Sequence, residues 1–104
     1  MKFFPLDRVR LLPGPFSDAV RVDLDYVMGL DPDRLLAPFL REAGLPAVAE
    51  SYGNWEDSGL DGHTAGHYLS ALALLWAATG DPAPRERLEA MVAELARAQE
   101  ADRK

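Results

Sequence analysis

A chain of 104 residues, 48% hydrophobic and 27% charged, has the composition of one soluble globular domain. A formal net charge of −6, with the basic residues scattered among acidic ones, excludes a nucleic-acid partner, because binding to a phosphate backbone rests on clustered Lys and Arg. Cysteine is absent, which excludes disulfides, thiolate nucleophiles and Cys-ligated zinc within the chain.

The first 15 residues carry Pro5, Pro13, Gly14 and Pro15 around a short apolar patch of Val9, Leu11 and Leu12, a pattern of an extended lead-in. Only Lys2 and a few apolar residues precede Asp7, too short a stretch for a signal peptide. From Phe16 the residues Val20, Leu24, Val27 and Met28 recur at helical spacing, predicting a first helix with one apolar stripe. Gly29 is placed to cap it in a left-handed conformation.

Asp31-Pro32 then predicts an N-cap and first turn, opening a second helix whose stripe is Leu35, Leu36, Phe39, Leu40 and Ala43, closed by Gly44. Pro38 lies inside it, where the ring opposes the Arg34 carbonyl at a cost of about 3 kcal/mol, so a bend or a late start is expected. Residues 46–62 read as an irregular, aromatic-rich loop of the kind that carries function.

His67 to Thr79 is apolar on nearly every face, the mark of a buried helix, with Gly80 as its cap. Its longest apolar run, Ala71 to Ala78, falls far short of the roughly 20 residues of a membrane span, so no membrane partner is expected. Pro82 and Pro84 open a last helix with a stripe of Leu88, Met91, Val92, Leu95 and Gln99, and with Arg85, Glu86, Glu89, Arg97 and Glu100 facing water. The fold class is all-α, four helices in two hairpins. Three helices are few to sheathe a fourth that is apolar all round.

Chemistry concentrates in Tyr52-Gly53-Asn54-Trp55-Glu56-Asp57 and Gly62-His63-Thr64-Ala65-Gly66-His67-Tyr68. His63 and His67 are four apart, as in zinc proteases, but Thr64 stands where that motif needs its glutamate, and a resident zinc needs three or four ligands. A helix-capping His and an interior hydrogen-bonded His are the plainer reading. Glu56 with Asp57 or Asp61 could act as paired carboxylates on a sugar, or Asp61 could cap the helix. Trp55 and Tyr52 suit stacking on a sugar ring, and equally suit pinning the loop to the core.

These blocks resemble the opening of glycoside hydrolase family 127, the β-L-arabinofuranosidase family. The matching segments are Val9 to Phe16, Asp33 to Leu36, Phe39, Ala43-Gly44-Leu45, Tyr52 to Glu56, Gly62 to Ala73 and Ala78 to Asp81, in the family order and over nearly the whole chain. The resemblance implies that residues 16–104 form the first part of an (α/α)6 barrel and that the parent enzyme acts on L-arabinofuranosides or a related sugar. It also implies a zinc-bound cysteine nucleophile and a glutamate acid-base. With no Cys present, it assigns catalysis and metal ligation to no residue here, and gives the chain no cofactor of its own. It makes Trp55, Glu56, His63 and His67 pocket-lining, substrate-binding residues, His67 foremost.

The alternative is a free-standing helical module that homo-oligomerises through its apolar helix. Size-exclusion chromatography with light scattering, run beside a circular dichroism melt, is expected to show an oligomer or a loosely packed chain. A cooperatively melting monomer would mean that the four helices cover their own apolar surface.

Overall fold

A computed structural model describes residues 2–53 and 61–103. The sequence blocks become four helices: α1 (Pro15–Gly29), α2 (Pro32–Glu42), α3 (His63–Thr79) and α4 (Pro82–Ala101). No strand occurs among the described residues, so the chain is all-α. No described helix is long and apolar enough to cross a membrane.

Local chemistry sets most of the boundaries. Proline begins α1, α2 and α4, where its fixed φ suits the first turn and its missing N–H costs nothing. Asp31 and Asp81 cap α2 and α4 through carboxylates that accept the Asp33 and Ala83 N–H groups, each at 2.9 Å. Gly80 ends α3 in the left-handed region, φ 73°, where a Cβ would be strained. Gly29, in contrast, remains helical, and α1 ends instead through the Leu30 N–H bonded to the Val27 carbonyl. Pro38 neither delays nor splits α2, which runs from Pro32 across it. The proline is buried, so its ring adds packing against the bond it removes.

The core gathers Val27, Leu35, Leu36, Leu40, Ala65, Tyr68, Leu72, Leu75, Met91 and Ala98. α3 packs most extensively on α4, α2 lies on α4, and α1 lies against α3. The lead-in is not wholly extended: Leu6–Arg8 forms a 3-10 turn that packs on α3. Arg10 fastens it there by donating to the Ala77 carbonyl at 3.1 Å.

Three stripes shift from the expected positions. Phe16, at the exposed start of α1, is 76% accessible. On α4, Val92 is 50% accessible and Gln99 is exposed, and the buried line instead runs through Pro84, Met91 and Ala98, with Leu88 and Leu95 half-buried. Most consequentially, α3 is not sheathed. It buries one line, Ala65, Tyr68, Leu72 and Leu75, while Leu74 is 59% and Trp76 40% accessible. Among the described residues α4, α2, α1 and the lead-in turn pack on α3 and leave part of its apolar surface uncovered. The radius of gyration, 15.9 Å with extents of 47 × 26 × 26 Å, exceeds the ~13 Å of a compact chain this long.

One polar node crosses the core. The buried Tyr68 hydroxyl donates to the Val27 carbonyl at 2.6 Å and accepts from Arg87 at 3.0 Å. Arg87 also donates to the Met28 and Leu30 carbonyls, placing a cation on the negative end of α1. Arg87→Met leaves those carbonyls without their charged donor and is expected to lower stability by about 2 kcal/mol. Tyr68→Phe, which leaves the Val27 carbonyl bonded to the Leu30 N–H, is expected to cost about 1 kcal/mol. Urea unfolding of both variants measures the ranking.

Candidate functional site

The candidate site is the start of α3 and the loop that leads into it. The loop is anchored from α2: Arg34 donates to the Glu50 and Ser51 carbonyls at 3.1 and 3.3 Å. The same guanidinium lies 4.0 Å over the Tyr52 ring, a cation–π contact. The Tyr52 hydroxyl accepts the Asp31 N–H at 2.9 Å. With its face and its hydroxyl both engaged, half-buried Tyr52 is a loop anchor and not a free stacking platform, which decides between the two readings its sequence left open. Trp55, Glu56 and Asp57 lie outside the described residues.

α3 begins at His63, with Gly62 as N-cap in the left-handed region, φ 94°. The space beside Gly62 is taken by α2: a Cβ there would come within 2.7 Å of the tip of the Phe39 ring. Glycine is required twice over, by backbone angle and by closeness to the aromatic ring. This contact sets where α3 starts relative to α2, and with it the position of both histidines.

His63 and His67 stand one turn apart on the same face, their ring centroids 4.7 Å apart and nearly perpendicular, at 77°. Both are exposed. The plainer expectation, that one of them packs as an interior histidine, is therefore wrong: the core side of these turns goes to Ala65, two residues from each histidine, and Tyr68, one residue past His67. Two imidazoles facing outward can donate and accept hydrogen bonds toward a polar ligand.

Among the described residues no three His, Cys, Asp or Glu side chains come together as metal ligands. With no cysteine in the chain, these residues do not fit the thiolate-bearing zinc site that the resemblance implies. The half-open groove of about 480 Å³ between the lead-in, α1 and α3 is lined by Leu6, Val9, Arg10, Leu24 and Thr79. It sits at the far end of α3, roughly 24 Å along the helix from His63, and belongs to a different place in the fold.

Sequence reasoning found the histidines but missed Arg34. Nothing in the spacing of α2 announces that its guanidinium holds a loop 16 to 18 residues later. A basic residue one turn inside a capped helix, with an aromatic in the following loop, was the available signal.

Set against known families, residues 8–103 match the model described as Beta-L-arabinofuranosidase, GH127 catalytic domain. No curated protein matches the chain significantly.

Gly62→Ala is expected to destabilise the fold by about 1–2 kcal/mol, from the left-handed backbone alone, with the Phe39 ring displaced as well. Chemical denaturation measures the loss. A shift of the Phe39 ring resonances reports the displaced contact.

Proposed function

Since the chain belongs to glycoside hydrolase family 127, we propose that it supplies part of the sugar pocket of a glycoside hydrolase acting on L-arabinofuranosides or a related sugar. The observation that supports this most directly is the exposed, edge-to-face His63–His67 pair at the start of α3. It lies within the Gly-His-Thr-Ala-Gly-His-Tyr-Leu-Ser-Ala segment that carries the resemblance.

In this reading the imidazoles hydrogen-bond sugar hydroxyls, because a neutral ring offers one donor and one acceptor nitrogen. Their perpendicular planes direct those groups to different hydroxyls of one ring. Trp55 contributes an apolar face and Glu56 a hydrogen-bonding carboxylate. Arg34 and Tyr52 act through the loop, by fixing the segment from which Trp55 and Glu56 follow.

The chain supplies binding groups and not the nucleophile. The thiolate that the resemblance implies corresponds to none of its 104 residues, and the same absence withholds thiolate ligands from the zinc of the intact family enzyme. Residues 16–104 are accordingly read as the first helices of the barrel, with the uncovered face of α3 turned toward helices that complete it.

Binding is tested by following the imidazole C–H resonances as methyl β-L-arabinofuranoside is added. Saturable shifts at both rings are expected, and their loss at the remaining ring in His67→Gln. Rings that stay unmoved at high sugar concentration, in a chain shown to be folded by its amide spectrum, would sink the pocket-lining assignment.

A further inference from the structure

The chain's two histidines are its only ones, and they occupy successive turns of one face of α3. Both are exposed, with centroids 4.7 Å apart. A late first-row cation holds an imidazole nitrogen at about 2.0–2.1 Å, so two nitrogens on adjacent positions of one ion lie about 3 Å apart. Rings at this centroid separation are near enough for one nitrogen of each to reach a common ion. The geometry points to a two-imidazole chelate for a divalent late transition-metal ion on this face of α3.

The donor set fixes the class of ion. Imidazole nitrogen suits copper, nickel and zinc and is a poor partner for magnesium or calcium, which take oxygen ligands. No third His, Cys, Asp or Glu joins the pair among the described residues, so the two imidazoles are the ligands the described structure supplies. An open site of this kind imposes little geometry, and it ranks metals by their intrinsic affinities, with Cu²⁺ tightest.

The chelate has a consequence for the pocket, one that rests on the sugar-binding reading above. An ion held by His63 and His67 occupies the same nitrogens that hydrogen-bond the sugar, so ion and sugar exclude each other.

Calorimetric titration of the untagged chain with CuCl₂, NiCl₂ and ZnCl₂, without sugar, tests the chelate alone. One ion per chain is expected, Cu²⁺ tightest, with affinity falling about tenfold or more in His63→Gln and equally in His67→Gln. Both side chains are exposed, and an unchanged circular dichroism melt verifies that the variants fold. Single variants within about threefold of the parent, or undiminished binding in the double variant, would overturn the chelate. Repeating the Cu²⁺ titration in methyl β-L-arabinofuranoside separates the two readings. Weakened metal binding is expected, and unaltered metal binding would overturn the shared site while leaving the chelate in place.

Discussion

The packing of this chain turns on Arg87. Its guanidinium comes from α4, meets the hydroxyl of Tyr68 on α3, and ends on the carbonyls that close α1. Hydrogen bonds to a charged donor in a low-dielectric setting are stronger than neutral ones, and this one satisfies backbone acceptors that a helix end otherwise leaves to water. Because α1 and α4 do not share an extensive interface of their own, the node fixes the direction in which α1 leaves α3. The apolar contacts of Val27, Leu72 and Met91 then fill in around a geometry already chosen.

That geometry explains why the core is one-sided. α3 has a mostly apolar sequence but only one flank on which other helices pack, and the remainder presents Leu74 and Trp76 outward. Part of the exposed indole is screened, since Arg85 lies 4.8 Å over the Trp76 ring. The outer face of α4 is finished differently, with Arg85–Glu89, Glu94–Arg97 and Glu100–Arg103 pairs typical of a solvated helix surface. The guanidinium of Arg97 holds the Glu94 carboxyl below its ordinary range. One surface is therefore finished with paired charges, while the other leaves apolar side chains uncovered.

What could be read from residues alone was whatever local chemistry controls. Proline at first turns, aspartate at caps and glycine at Gly80 gave helix limits within a residue or two. Leu35, Leu36 and Leu40 gave the buried face of α2. The failures involve tertiary context. Phe16 and Val92 fit their helical periods yet stay largely exposed, and Gly29 sits at a helix end that closes without a left-handed residue. At the site, the i, i+4 spacing identified the histidine pair and the side-by-side placement it implies. Only three-dimensional packing reveals that both rings face outward, or that Tyr52 is consumed by Arg34 and Asp31.

The contact between Gly62 and Phe39 reaches beyond this one chain. Because the ring tip occupies the volume a side chain at 62 would need, the two positions cannot drift independently over evolutionary time. A lineage that enlarged residue 62 would have to shrink or swing residue 39, and would then re-seat the first turn of α3 on α2. Substitutions in α2 can thus re-seat the turn that carries His63 and His67 without altering any residue of that turn.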